Sequence, residues 1–206
     1  MKLPRSYYAD QDVLFLAQDL LGKILFTEIN GNITAGIIVE TEAYFGVQDK
    51  ASHAYGGRRT DRTETLYSHG GVSYVYLCYG IHHLFNVVTS VKDEPHAVLI
   101  RAVEPLLGKE TMELRRSMPA SRAAISSGPG SAAKALGIDR NFNKKDLTGN
   151  EIWIEDHGIR YDPDEIIAGP RIGVAYAQED ALLPWRFFVK DNKYVSKPNK
   201  ALTMLS

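Results

Sequence analysis

Two glutamates and a tyrosine occupy alternate positions of the stretch VETEAYFG, residues 39–46: Glu40, Glu42 and Tyr44. Because side chains alternate across a strand, the three share one face, with the two carboxylates about 7 Å apart along it. A carboxylate beside an aromatic wall suits a general base or nucleophile that hydrolyses an acetal-like carbon. The same alternation is typical of a solvated sheet face whose intervening apolar side chains enter the core.

A second constellation lies in SYVYLCYGIHHLFNVV, which contains Tyr74, Tyr76 and Tyr79. Tyr79 precedes Gly80 at a predicted turn between two strands, so its ring could project from the tip of a hairpin. An exposed aromatic ring at a turn favours insertion into a partner molecule. The alternative is a ring that packs beneath the turn as part of the core.

Two polar residues interrupt apolar strands and therefore need partners. Asn86 lies within LFNVV, where its amide either bonds neighbouring backbone or faces a polar pocket. Arg101 lies within AVLIRAVEP, where an unpaired buried charge would be very costly. It either pairs with Glu42 or Glu40 and helps to hold a water, or lies exposed on an edge strand.

The histidines and the single cysteine do not predict a metal site. No His-Glu-x-x-His element is present, and Cys78 has no partner cysteine at zinc spacing. The six histidines are His53, His69, His82, His83, His96 and His157. Three loop arginines, Arg58, Arg59 and Arg62, could contact phosphates or be solvated.

Length and charge exclude several classes of protein. The chain has 206 residues, enough for one domain with a sizeable core. Lys+Arg total 24 against Asp+Glu 25, for a net charge of -1, so any basic surface must be local. No leader segment and no run of about 18 apolar residues is found, so we expect a soluble cytoplasmic protein without a membrane partner.

The elements that would position these residues begin with a helix and a hairpin. Apolar residues at helical spacing predict a helix over 13–21, capped by Asp10. Residues 23–29 and 33–44 predict paired strands, because Asn30-Gly31 supplies the two positive φ values of a tight turn. The stretch that contains the two glutamates therefore ends the second strand of a hairpin.

The rest of the chain predicts more strands than helices. A long loop over 46–70 precedes them, and a loop of that length in a compact domain is often functional. One helical segment is predicted within 106–122, and a second, capped by Ser131, is predicted after SGPG. The tail from about residue 190 is predicted to be loosely ordered. Further strands are predicted at 72–78, 84–89, 96–103, 151–155, 159–161 and 171–176. The pattern indicates an α+β fold with a mainly antiparallel sheet.

Six motifs together resemble the alkyladenine (3-methyladenine) DNA glycosylase family. They are, in chain order, ETEAY, His53 with GGRRT, YVYLCYGIHHLFNV, VLIRAVEPL, SGPG with KALGI, and GPRIGVAYA. The resemblance extends from about residue 5 to about residue 195. It implies a monomeric base-excision-repair enzyme, built as one mixed domain around a curved antiparallel sheet with a protruding hairpin. Its partner would be duplex DNA that contains damaged purines, and it would need no cofactor or metal.

The resemblance also implies roles for individual residues. Glu42 would activate the attacking water, with Arg101 and the backbone of Val174 helping to place that water; Glu40 receives no catalytic role. The residues assigned to the flipped base are Tyr44, His53 and Tyr76 for stacking, Asn86 at the pocket floor, and Tyr79 as the ring that fills the gap in the duplex.

Two rival hypotheses come from other classes of function. A carbohydrate-directed glycosidase would use Glu40 and Glu42 as its carboxylate pair, at a spacing that suits inversion. A non-catalytic nucleic-acid binding module would use the aromatic residues as stacking platforms. Within the glycosylase hypothesis, none of the pocket motifs presents a lysine nucleophile, so we expect a monofunctional enzyme without strand cleavage.

Overall fold

A curled antiparallel sheet of eight strands forms the centre of the molecule, in a computed structural model that describes residues 1–197. The strands are β1 (Ile24–Ile29), β2 (Asn32–Phe45), β3 (Val72–Cys78), β4 (His82–Thr89), β5 (His96–Leu107), β6 (Ile152–Glu155), β7 (Ile166–Gly169) and β8 (Arg186–Val189). Six of them follow the order β3-β4-β5-β2-β1-β6, while β8 pairs with both β2 and β7. The molecule is a single α+β domain, as predicted.

Within residues 1–197 the α-helices are α1 (Arg5–Tyr8), α2 (Val13–Asp19), α3 (Lys109–Arg116) and α4 (Pro129–Leu136). Helix α2 packs on β2 and β5, and α4 packs on β4 and β5. The main apolar core lies between these helices and the sheet, which fixes the strands that carry the polar residues of interest. Within the described part of the chain, no helix is long and apolar enough to cross a membrane.

Both predicted hairpin turns are confirmed. Asn30 and Gly31 have φ values of 51° and 78°, and Tyr79 and Gly80 have φ values of 49° and 73°. A tight turn of this kind needs two residues with positive φ, which glycine adopts freely and asparagine adopts more readily than most residues. The second turn is less usual, because its first position holds a tyrosine.

The pairing of β2 with β5 contains register shifts around Glu40. Glu40 lies opposite Ala102 and Thr41 lies opposite Ile100, so Arg101 is the extra residue of a bulge in β5. An extra residue bends the strand and redirects its side chain. The bulge therefore allows Arg101 to approach the carboxylates of β2.

Both predicted helix caps are wrong. The Asp12 side chain, rather than that of Asp10, accepts from the backbone N–H of Phe15 at 2.9 Å, and α2 begins after it. Helix α4 begins at Pro129 after Gly128, because proline is favoured in the first turn, where its missing N–H costs nothing. Ser131 is thus inside α4.

The predicted late strands are only partly correct. Residues 151–155 correspond to β6, but residues 159–161 lie in a loop. Residues 171–176 bend at Gly173, which has a φ of 81°, and then enter a 3₁₀ helix at Ala175–Leu182. Strands β7 and β8 were not predicted.

The start of the predicted loosely ordered tail packs on the domain. Tyr194 and Ser196 are buried. The Tyr194 hydroxyl donates to the backbone O of Ala120 at 3.1 Å. Residues 198–206 of that predicted tail lie outside the described residues.

Candidate active site

The Glu42 carboxylate is fully buried, accepts two hydrogen bonds and forms an ion pair with Arg101. Oε1 lies 2.7 Å from the backbone N of Ile172 and 3.1 Å from Nη1 of Arg101, and Oε2 accepts from the Tyr44 hydroxyl at 2.9 Å. A carboxylate has about four lone-pair sites. One lone pair, on Oε2, therefore has no protein partner in the part of the chain that the structure describes.

All three donors to Glu42 also line an open cleft of about 570 Å³. This volume lies within the range of roughly 300–1,000 Å³ that is typical of ligand sites. Glu42 itself has no exposed surface and is not among the described residues that line the cleft, so its carboxylate adjoins the cleft through these three partners.

Arg101 joins the two glutamates of β2. Its Nε donates to Oε1 of Glu40 at 2.9 Å, and its Nη1 lies 3.1 Å from Oε1 of Glu42. Its Nη2 donates to Oγ of Ser196 at 3.2 Å. Burial opposes its charge, but the two carboxylates raise the pKa of Arg101 above its ordinary value. The predicted pairing is confirmed, and the alternative of an exposed edge residue is wrong.

Glu40 has a different surrounding from Glu42. Its Oε1 accepts from Nε of Arg101, Nε of Arg186 and Oγ of Ser196, and its Oε2 accepts from the backbone N of Ser196 at 2.7 Å. Arg186 and Ser196 are not among the described residues that line the cleft. The two carboxylates thus have different surroundings, because two of the three residues that contact Glu40 lie away from the cleft that all three partners of Glu42 line. An inverting glycosidase would need both carboxylates at one site.

An aromatic pocket, here called the base pocket, adjoins the cleft. It contains four residues that the resemblance assigns to a bound base, together with two tyrosines that received no such role. Its lining is Tyr44, Ala51, Ser52, His53, Leu66, Tyr74, Tyr76, Asn86, Ala97 and Tyr176. Tyr44, His53, Tyr76 and Tyr176 also line the cleft, so the two spaces share these four side chains.

Ring contacts hold one wall of the base pocket. The rings of His53 and Tyr76 meet edge to face, with centroids 4.6 Å apart, and Tyr74 and Tyr76 lie 5.4 Å apart. Nδ1 of His53 and the Tyr74 hydroxyl are 2.9 Å apart, within hydrogen-bond distance. Because Tyr74 and Tyr76 are two residues apart on β3, they lie on the same face of the sheet. The two-residue spacing from Tyr76 therefore indicates from the sequence that Tyr74 also lines this pocket.

The protonation states of the pocket side chains follow from their burial. Burial, with smaller effects from Arg62 and Arg58, lowers the pKa of His53 to about 4. Burial, followed by the negative charge of Glu42, raises the pKa of Tyr44 well above its ordinary value. At neutral pH, His53 is therefore a neutral imidazole. The Tyr44 hydroxyl stays protonated and acts as the hydrogen-bond donor to Glu42.

Asn86 is buried and lines the base pocket, which agrees with the predicted alternative of an amide that faces a polar pocket. Its Nδ2 donates to the backbone O of Tyr74 at 3.1 Å. Tyr74 and Asn86 are also direct partners in the β3–β4 ladder. Asn86 thus satisfies both alternatives, because it bonds neighbouring backbone and also lines the pocket.

The segment Ile172-Gly173-Val174 covers the other side of Glu42. Val174 is buried and lines the cleft, and its backbone O accepts from the N–H of Ala177 at 2.8 Å. The contact between Glu42 and the amide of Ile172 was not predicted. No signal in the sequence indicates it, since it depends on the positive φ of Gly173 and the resulting bend.

A buried ion pair between Arg171 and Asp49 was also missed. Both guanidinium Nη atoms donate to the Asp49 carboxylate, and Nη1 also donates to the backbone O of Ala43 at 2.9 Å. The guanidinium lies over the rings of Tyr44 and Trp185, 4.9 and 5.0 Å from their centroids. This pair ties the loop after β2 to the wall of the base pocket.

The β3–β4 hairpin projects beside the cleft. Tyr79 at its tip is 85% exposed, and Ile81 is 72% exposed. The alternative of a tyrosine packed beneath the turn is therefore wrong. An exposed apolar tip beside an aromatic pocket is suited to insertion between stacked rings of a partner.

The three loop arginines differ in their contacts. Arg59 bonds Glu64 through Nε and Nη2 and bonds Asp93 through Nη1 at 2.7 Å. Arg62 lies over the Tyr76 ring at 5.3 Å from its centroid and lines the cleft. Arg58 is exposed. The sequence did not distinguish among them, because only the folded loop shows that Arg59 alone pairs with Glu64 and with the distant Asp93.

The described residues include no group of three or more His, Cys, Asp or Glu side chains that could hold a metal ion.

Comparison with known proteins gives a consistent result over nearly the whole chain. The family model described as methylpurine-DNA glycosylase (MPG) matches residues 7–193. A protein of Chlamydia abortus is 46% identical over 188 residues, covering 91% of this chain and 97% of that protein. One of Clostridium perfringens strain 13 is 44% identical over 205 residues, covering 96% of this chain and 100% of that protein. Both are named "Putative 3-methyladenine DNA glycosylase".

Proposed function

The chain belongs to the methylpurine-DNA glycosylase family, and on that premise we propose that it removes alkylated or deaminated purines from duplex DNA. The proposed reaction is hydrolysis of the N-glycosidic bond after the damaged nucleotide has rotated out of the helix. The single observation that carries this proposal is the Glu42 carboxylate, which is held by three donors that all line one cleft beside the base pocket.

The chemical step uses the remaining lone pair of Glu42. A water bound at Oε2 gives a proton to the carboxylate and attacks C1′ of the sugar, while the N-glycosidic bond breaks and its electron pair leaves with the base. Arg101 and the amide of Ile172 hold Oε1, so the carboxylate keeps Oε2 toward the water. The backbone of Val174, which lines the same cleft, is a further candidate for placing that water.

The base pocket favours a cationic purine. An N-alkylated purine carries a positive charge, and stacking on Tyr44 and Tyr76 would stabilise it by about 0.5 to 2 kcal/mol per contact. His53 is neutral at pH 7 and so adds no repulsion. A cationic base is also an activated leaving group, because it departs as a neutral molecule. Asn86 at the pocket floor would disfavour the exocyclic amine of an undamaged guanine.

Extrusion of the base costs a few kcal/mol, and least for a damaged or mispaired base. The exposed ring of Tyr79 would occupy the space that the base leaves and replace part of the lost stacking. Arg58 and Arg62 carry no carboxylate partner among the described side chains, and they are the loop arginines best placed for phosphates. Arg59 is already engaged by Glu64 and Asp93.

We propose a monofunctional enzyme that acts as a monomer. The described residues that line the base pocket and the cleft include no lysine, so no amine is at hand to form a Schiff base with the sugar. Strand cleavage by that route would require a Schiff base.

The test is release of free base from duplexes that each contain one 3-methyladenine, 7-methylguanine, hypoxanthine or ethenoadenine. We expect release of at least one base by the purified chain, with the DNA strand intact until alkali is added. Binding without release of any base would favour the nucleic-acid binding module, and spontaneous strand cleavage would overturn the monofunctional assignment.

A further inference from the structure

Glu40, Arg101, Arg186 and Ser196 form a buried group, here called the Glu40 cluster. Glu40 has no exposed surface, and the other three are each less than 10% exposed. Two buried guanidinium groups share Oε1 of Glu40, at 2.9 and 2.7 Å from their Nε atoms. With Glu42 included, two carboxylates balance two guanidinium groups. A buried charge is tolerated only when it is paired and hydrogen-bonded in this way.

We propose that Glu40 is a positioning residue for hydrolysis. It orients Arg101 so that only one guanidinium nitrogen, Nη1, contacts Glu42, and Ser196 helps to fix that orientation. The inference rests on the proposed function above and extends it to residues that do not touch the substrate.

The geometry of the guanidinium carries the argument. Its three nitrogens lie in one rigid plane, so fixing two of them fixes the third. Glu40 holds Nε and Ser196 holds Nη2, which leaves Nη1 to contact Oε1 of Glu42. Arg101 is the extra residue of the β5 bulge, so its orientation depends on these side-chain contacts more than on a regular ladder.

Without Glu40, the guanidinium group of Arg101 would favour a different contact with the Glu42 carboxylate. Guanidinium and carboxylate groups favour a paired arrangement, in which two N–H groups meet both carboxylate oxygens. Arg101 would then turn toward Oε2 of Glu42 and cover the lone pair that the water needs. Glu40 therefore keeps Oε2 open by engaging the Nε edge of the same guanidinium.

The decisive variants remove this hold in two ways. Glu40→Gln alone would leave Arg186 without a buried counter-charge, so it is combined with Arg186→Met. We expect this double variant to show about a twentyfold lower single-turnover rate of base release, while its Kd for lesion-containing DNA changes less than twofold. Glu104→Gln is the matched control, because Glu104 bonds Asn192 near the same C-terminal segment and should keep the wild-type rate. A wild-type rate in the double variant would overturn the proposal.

Ser196→Ala is the milder variant and decides the question if the double variant does not fold. It removes the hydroxyl contacts with Arg101 and Glu40 but keeps the backbone contact to Glu40. We expect about a fivefold lower rate, again with unchanged Kd. Ser127→Ala is its control, since Ser127 donates to the backbone O of the adjacent Val195. Equal rates in the two serine variants would overturn the proposal.

A double-mutant cycle separates positioning from general loosening of the structure. If Glu40 acts through Arg101, adding Glu40→Gln and Arg186→Met to Arg101→Met should lower the rate less than twofold further. A further twentyfold loss in that background would show that Glu40 acts independently of Arg101 and would overturn the proposal. If the wild-type chain releases no base at all, it is the proposed function that fails, and this outcome is visible before any variant is compared.

Discussion

The Tyr44 hydroxyl donates a 2.9 Å hydrogen bond to Oε2 of Glu42, so a wall of the base pocket directly contacts the proposed general base. Tyr44→Phe keeps the ring and removes this bond. A hydrogen bond to a charged group contributes about 1.5–3 kcal/mol, so we expect kcat to fall about tenfold or more while KM changes little. The measurement is multiple-turnover base release over a range of DNA concentrations. A rise in KM at constant kcat would contradict this coupling.

Tyr7→Phe is the matched control for Tyr44→Phe. The Tyr7 hydroxyl also donates to a carboxylate, Oδ2 of Asp19, at 2.8 Å. Among the described side chains, neither Tyr7 nor Asp19 lines the cleft or the base pocket. The kinetics of Tyr7→Phe should therefore match those of the wild-type chain.

Glu42→Gln should abolish base release, because an amide does not accept a proton from water at neutral pH. The expected loss in single-turnover rate is at least about 10²- to 10⁴-fold, the range of general base catalysis. Retained binding of lesion-containing DNA, measured by fluorescence anisotropy, would show that the pocket is intact. A variant that still releases base at the wild-type rate would exclude Glu42 as the base.

The burial of His53 predicts a pH dependence of stability. Its pKa in the folded protein is about 4, below the ordinary value of 6.5, so the unfolded chain binds a proton first as the pH falls. The stabilising contribution of neutral His53 is complete above pH 6.5 and is lost as the pH falls toward 4, by about 3 kcal/mol in total.

His53→Gln tests this contribution, since glutamine does not titrate. Urea denaturation at pH 7 and at pH 4.5 should show a smaller difference for His53→Gln than for the wild-type chain. Equal pH dependence in the two chains would contradict the assignment of a neutral, buried His53.

Tyr79→Ala should weaken base extrusion without weakening the fold. The side chain is 85% exposed, and alanine meets the same backbone strain at this φ of 49°, so the substitution costs little stability. We expect a melting temperature within about 2 °C of wild type and at least a tenfold lower kcat/KM on duplex DNA. Leu114→Ala, which changes a similarly exposed apolar residue on α3, should alter neither value. A large fall in melting temperature for Tyr79→Ala would identify it as a structural residue.

The Asp49–Arg171 pair should contribute to stability and to the shape of the base pocket. Neither side chain has exposed surface, and removal of one partner of such a pair leaves a buried charge, at a cost of about 3–5 kcal/mol. Asp49→Asn should therefore lower the free energy of unfolding by about this amount in urea titrations. Glu64→Gln, which breaks an exposed pair with Arg59, should have a much smaller effect. Equal losses of unfolding free energy in Asp49→Asn and Glu64→Gln would show that the buried pair adds no more to stability than the exposed pair does.

Local turn chemistry made the hairpins predictable from the sequence. Asn30-Gly31 and Tyr79-Gly80 each lie between two apolar strands, and the backbone conformations they adopt are largely determined within the turn itself. The late segment 171–176 has similar apolar alternation but is not a strand. It bends at Gly173, and Arg171 beside that bend is buried against the distant Asp49, a contact about which periodicity in one segment carries no information.

The chemistry of the site was more predictable than its connections. The alternation of Glu40, Glu42 and Tyr44 placed them on one face, and the need of Arg101 for a counter-charge predicted its pairing with them. The separation of the two carboxylates into different surroundings was not predictable. It depends on the register shift at Arg101 and on Ser196, which is 156 residues away from Glu40 in the chain.

That separation in sequence has a consequence for the order of events during protein synthesis. The sheet strands that carry both glutamates and Arg101 are complete by residue 107, but the buried charges of the Glu40 cluster reach full pairing only with Arg186 and Ser196. A nascent chain on the ribosome would hold these three charged residues without their last partners until residue 196 had left the exit tunnel. Catalytic competence would therefore arise only after the segment with Arg186 and Ser196 has packed against Glu40.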